Sequence, residues 1–88
     1  MRGIRFQVVG RVQGVGFRAW VARVARKEGL SGAVRNRLDG SVEVDAAGTD
    51  ASIDVLRRAL QSGPPQAIVS RVHEMPIDVN DAAFLVDR

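Results

Sequence analysis

The spacing of apolar residues changes abruptly at Gly14-Val15-Gly16. Before this turn, "GIRFQVVGRV" places Ile4, Phe6 and Val8 on one side of an extended chain and Arg5 and Gln7 on the other, the period of a strand with one solvated face. After it, Phe17, Trp20, Val21, Val24 and Ala25 recur at helical spacing, with Arg23, Arg26 and Lys27 turned outward and Gly29 marking the stop. A chain that passes from strand to helix across two glycines presents a sharp turn with the start of a helix directly behind it.

The later segments extend the pattern. "LSGAVRNRLDGSVEVDAAG" reads as two short strands around "LDGS", where Asp39-Gly40 supplies hairpin turn chemistry and Val42, Val44 and Ala46 face the core. In "GTDASIDVLRRALQSGPP", Thr49 or Asp50 caps a second helix, Ile53, Leu56 and Leu60 form its apolar stripe, and Gly63-Pro64-Pro65 ends it. "QAIVSRVHEMPIDV" has strand-like residues with imperfect alternation, which predicts a bulge or an edge position, and "FLVDR" is expected to add a short final strand. The order βαββαβ predicts an α+β, ferredoxin-like sandwich with two helices on one face of an antiparallel sheet. Right-handed crossings make the first and second strands parallel with another strand between them. Their C-terminal ends then share one edge, which brings the 13–17 turn beside Asn36.

At 88 residues the chain is expected to be a single domain, residues 1–88, and a free-standing one. With no cysteine, disulfides, thiolate metal sites and a cysteine nucleophile are excluded, and a reducing cytoplasm is the expected location. No segment approaches membrane-spanning length. Residues 1–44 carry nine Arg and Lys against three Asp and Glu, whereas residues 45–88 carry four against seven. The resulting field draws an anion toward the half that contains the glycine turn.

A strand that turns into a helix leaves backbone N–H groups unpaired at the helix start, where the helix dipole adds positive charge. Gly14 and Gly16 allow the backbone to approach an anion, and Arg18 adds a planar two-pronged donor. The same residues also suit a plain tight turn followed by a solvated charge, and by themselves they leave both readings open. "GRVQGVGFR" lacks the Lys-Ser/Thr ending of a nucleotide-binding loop and the third glycine of a dinucleotide fingerprint, and no paired carboxylates are placed to hold magnesium. His73, the sole histidine, has no clustered partners for a metal and is expected to be at the surface or partly packed rather than catalytic. Arg11, Arg35 and Arg37 read as solvated face charges, and Asn36 taken alone reads as a strand-end turn residue.

"GRVQGVGFR", followed by "GLSGAVRNRLDGSVEV" and then "LQSGPPQAIVSRV" at the expected distance, resembles the acylphosphatase family along nearly the whole chain. The resemblance implies a ferredoxin-like fold and hydrolysis of the carboxyl–phosphate bond of a small acyl phosphate, with no cofactor and no metal. It implies that Arg18 binds the phosphate together with the backbone N–H groups of the loop Gln13, Gly14, Val15, Gly16 and Phe17, and that Asn36 positions the attacking water. Two departures stand out. Ala33 occupies a place where the family commonly has a bulky aromatic, implying looser packing beside the second strand, and Leu38 a place where proline often precedes Asp-Gly, implying a less rigid hairpin.

An RNA-binding sheet of the same element order would need aromatic stacking residues on its open face, and the third strand presents Glu43 and Asp45 instead. No nucleic-acid or membrane partner is expected, and a monomer is. A phosphate-binding or regulatory module of the same fold without catalysis is the alternative, separated from the enzyme by turnover.

Overall fold

The computed structural model describes residues 1–80 and 83–87. Its elements are β1 (Arg2–Arg11), α1 (Phe17–Lys27), β2 (Ser31–Asn36), β3 (Val42–Ala47), α2 (Asp50–Ser62), β4 (Ile68–Asp78) and β5 (Leu85–Val86). The strands form one sheet in the order β4-β1-β3-β2-β5. The pairs β1–β3, β1–β4 and β2–β3 are antiparallel, so β1 and β2 run parallel on either side of β3. This is the ferredoxin-like arrangement the element order predicts, with one correction. The sheet is mixed, because β5 pairs parallel with β2. β4 ends opposite the start of β1, so the returning chain enters the free edge of β2 in β2's own direction. Arg88, the last residue of the expected final strand, lies outside the described residues.

Alternation along the strands decides the core. Phe6 and Val8 of β1, Val34 of β2, and Val42, Val44 and Ala46 of β3 are fully buried and meet Phe17, Val21 and Ala25 of α1 and Ile53, Leu56 and Leu60 of α2. The end of α1 is closed by Leu30 N–H on Ala25 O at 2.9 Å and Gly29 N–H on Arg26 O at 3.2 Å, a paired C-terminal cap. The irregularity expected in the last long strand is a register shift opposite Val9 and Gly10, on a strand that lies at the sheet edge. Among the described residues no helix is long and apolar enough to cross a membrane. At the start of α2 the Thr49 hydroxyl oxygen accepts the Ser52 N–H at 3.1 Å. Thr49→Ala is therefore expected to lower the unfolding free energy by about 1 kcal/mol in urea denaturation, with an unchanged m-value.

The sheet face away from the helices departs from expectation. Glu43 and Asp45 do not stand in solvent; they are 5% and 9% exposed. Nor are Arg35 and Arg37 free surface charges. Arg5 grips Asp45 through Nε at 2.8 Å and Nη2 at 3.1 Å, Arg35 Nη1 bonds both Glu43 and Asp45, and Arg37 Nη1 reaches Glu43 at 2.8 Å. β3 is the central strand, so its outward carboxylates lie under the aliphatic stems of arginines from both neighbouring elements. Burial pushes the Asp45 carboxyl up, but the hydrogen bonds from Arg5 and Arg35 outweigh it and hold the group below its usual range.

A depressed folded-state pKa contributes stability that is present above the unfolded value, about 3.9 for Asp, and is lost as pH falls through the lower folded value. Asp45→Asn is expected to cost about 1–2 kcal/mol at neutral pH, discounted because the arginines are partly solvated, and the gap to wild type should close in acid. Denaturation curves at pH values on either side of about 4 check both the size and the sign.

Candidate active site

The turn between β1 and α1 is built by torsion rather than by space. Gly14 and Gly16 hold φ values of 75° and 76°, in the left-handed region, and a Cβ at either would meet nothing within 4 Å. Gly16 is the N-cap of α1, and the helix begins with Trp20 N–H on Gly16 O at 3.1 Å. The N–H groups of Phe17, Arg18 and Ala19 precede that bond and have no partner within the helix. Unlike α2, which has the Thr49 cap and Asp50 in its first turn, α1 has no side-chain cap and no acidic residue in its first turn. Its positive end is left uncompensated.

Phe17 anchors this turn from below. It is 2% exposed, its ring lies 5.5 Å from that of Trp20, and a Cβ on Gly63 would come within 3.1 Å of it. Gly63, which ends α2, thus lies close against Phe17 on the underside of the turn.

Two side chains complete the site. Arg18, in the first turn of α1, donates from Nη1 to the backbone carbonyl of Asp87 at 2.7 Å, which braces the guanidinium against the end of β5. Asn36 is the last residue of β2 and pairs across the ladder with Val42. Its side chain makes no hydrogen bond to another described residue and remains available. Gly14, Gly16, Arg18, Ala19, Asn36 and Asp87 surround one cavity of about 400 Å³. Residues 18 apart in sequence meet there because β1 and β2 run parallel and end at the same sheet edge.

Of the expected cradle residues, Gly14, Gly16, Phe17 and Arg18 line this cavity, whereas Gln13 and Val15 do not. Val15 is half-buried against the core. The Gln13 side chain turns away to the β2–β3 hairpin, donating from Nε2 to Arg37 O at 2.7 Å and Ser41 O at 2.9 Å. Ala19, Val86 and Asp87 also line the cavity, and the sequence alone does not single them out. Ala19 follows from helical spacing once the cradle is placed. No sequence signal marks Asp87, which contributes a backbone carbonyl.

A larger depression elsewhere has a lining of mixed charge. It measures about 740 Å³ and lies at the opposite end of the sheet. Its lining mixes Arg2 and Arg57 with Asp50, Asp54 and Asp78, and Arg57 is already committed to Asp54 and Glu74. His73 is exposed on β4, as expected. Among the described residues no three His, Asp or Glu side chains gather as metal ligands. A depression of about 250 Å³ lies beside Ala33. Leu38 is fully exposed at the hairpin tip, where Asp39 Oδ1 accepts Ser41 N–H at 2.9 Å and Oγ–H at 2.6 Å and braces the turn.

Fold and cavity together define a ferredoxin-like α+β chain with an open cavity at one end of its sheet, lined by the Arg18 and Asn36 side chains. A family model described as Acylphosphatase matches residues 4–84. A curated acylphosphatase of Cupriavidus pinatubonensis is 54% identical over 67 residues, covering 76% of this chain and 74% of that protein. Among solved structures, an acylphosphatase from Bacillus subtilis superposes with a TM-score of 0.92 at 34% identity, covering 100% of both chains. Another, from Coxiella burnetii, gives 0.91 at 43% identity, covering 97% of this chain and 90% of that one. The chain belongs to the acylphosphatase family.

Proposed function

We propose that the cavity at the start of α1 hydrolyses the carboxyl–phosphate bond of small acyl phosphates, with Arg18 as phosphate clamp and Asn36 as water positioner. The observation that carries this reading is the meeting of the uncapped helix start, the Arg18 guanidinium and the Asn36 amide around a single cavity. In the proposed complex, the phosphoryl oxygens sit against the N–H groups of the turn and the guanidinium, which neutralise charge where it accumulates. The glycine turn is then a phosphate-binding loop.

An acyl phosphate is already activated, because its leaving group is a carboxylate that departs without protonation. Positioning and electrostatics are what the site must supply. A neutral asparagine amide accepts a hydrogen bond from water through its oxygen and donates one through its nitrogen, holding the water without deprotonating it. Oxygen of that water bonds to phosphorus as the bond from phosphorus to the acyl oxygen breaks. The carboxylate leaves with the electron pair, and the proton passes to a phosphate oxygen. This route needs no general acid and no metal. The cysteine-free composition supports a reducing compartment such as the cytoplasm, and we take the chain to act there as a monomer.

Steady-state hydrolysis of benzoyl phosphate in excess chelator tests the proposal. The expected result is turnover inhibited competitively by inorganic phosphate. Bound phosphate without turnover in the folded chain would make the cavity a recognition site and favour the regulatory alternative.

A further inference from the structure

We propose that Gln13 is a positioning residue: its side-chain amide locks the phosphate-holding turn to the hairpin that carries Asn36, and so sets the distance between phosphorus and the attacking water. The inference rests on the Arg18 and Asn36 reading above and adds a residue that touches neither phosphate nor water.

The turn and Asn36 belong to separate segments that share no backbone ladder, since β1 and β2 are separated by β3. Gln13 crosses this gap. Its Nε2 carries two N–H donors, and both are used, one on Arg37 O at 2.7 Å and one on Ser41 O at 2.9 Å. Those carbonyls lie at the mouth of the hairpin. Arg37 N–H also bonds Ser41 O at 2.9 Å, and Gly40 N–H bonds Arg37 O at 3.2 Å, so Gln13 supplies the second partner to two carbonyls already engaged in closing the loop. Arg37 directly follows Asn36, and Gln13 directly precedes Gly14 of the cavity wall. The link is therefore one residue from Asn36 at one end and one residue from the cavity wall at the other. In-line attack on phosphorus is sensitive to displacements of an ångström, whereas phosphate binding depends on the turn and Arg18 alone. Loosening this link separates the two functions.

Gln13→Met keeps chain length and removes both donors. We expect kcat on benzoyl phosphate to fall by roughly 10- to 100-fold, with the inhibition constant of inorganic phosphate changed by less than about threefold. In an Asn36→Ala background, where the water is already unplaced, the same substitution should change kcat by less than about threefold, because residues acting through one another are not additive. Gln13→Glu supplies an independent test if the methionine variant fails to fold. Its carboxylate faces two carbonyl oxygens and cannot donate, but once protonated, near the ordinary Glu pKa of about 4.3, it regains one donor. Its activity relative to wild type should therefore rise as pH is lowered toward about 4.5.

An unchanged kcat in Gln13→Met, an equal loss in both backgrounds, a parallel loss of phosphate binding, or a flat pH ratio in Gln13→Glu would each overturn the inference. Full turnover in Asn36→Ala itself would instead overturn the water-positioning reading on which it stands.

Discussion

Arg18→Ala is expected to lower kcat on benzoyl phosphate by at least 10²–10³-fold, roughly the cost of removing one transition-state donor, and to weaken inhibition by inorganic phosphate. Among the described residues the guanidinium is the one positively charged side chain lining the cavity. Its Nη1 contact with Asp87 O fixes the group while leaving the other N–H donors for phosphate oxygens. Arg18→Lys keeps the charge but loses the planar fork and the second contact, so it should recover only a small part of the rate. Because the contact to Asp87 also ties α1 to β5, each variant needs a thermal melt alongside its kinetics. A folded Arg18→Ala variant with wild-type turnover would remove the clamp from the mechanism.

Asn36→Ala should separate binding from chemistry. With the turn and Arg18 intact, phosphate inhibition stays near wild type while kcat drops by about 10²-fold, the scale of losing the orientation of one reactant. The drop should appear in kcat rather than KM, the pattern of an interaction made on the way to the transition state. Asn36→Asp distinguishes orientation from proton abstraction. A carboxylate beside the phosphate is repelled, so this variant should also be slow. Retained activity with a new acidic limb in the pH profile would mean that a base at this position does the work.

The fold was legible because local pattern and global order agree at most positions. Alternation at Ile4, Phe6 and Val8, the stripe from Phe17 to Ala25 and the stop at Gly63 each appear where periodicity places them. The parallel strand β5 was not legible as such, because two residues carry no periodicity and its direction follows from where β4 ends. Glu43 and Asp45 look like surface residues in the sequence for the opposite reason. Their charge argues for solvent, and only the assembled sheet shows that Arg5, Arg35 and Arg37 neutralise and cover them. At the site, the glycines and Arg18 could be placed from chemistry at a helix start, whereas Asn36 needed the family resemblance to stand out from other strand-end asparagines. In the sequence Gln13 belongs to the turn only through its backbone. Its side-chain link to the hairpin spans 24 and 28 residues, a relation no local pattern encodes.

The most direct measurement of the central claim is isotope placement during hydrolysis of benzoyl phosphate in ¹⁸O-labelled water. Attack on phosphorus by a water held beside Asn36 predicts one labelled oxygen in the inorganic phosphate and none in benzoate. Label in benzoate would mean that water attacks the carbonyl carbon, and it would contradict the assignment of the cavity as a phosphoryl-transfer site.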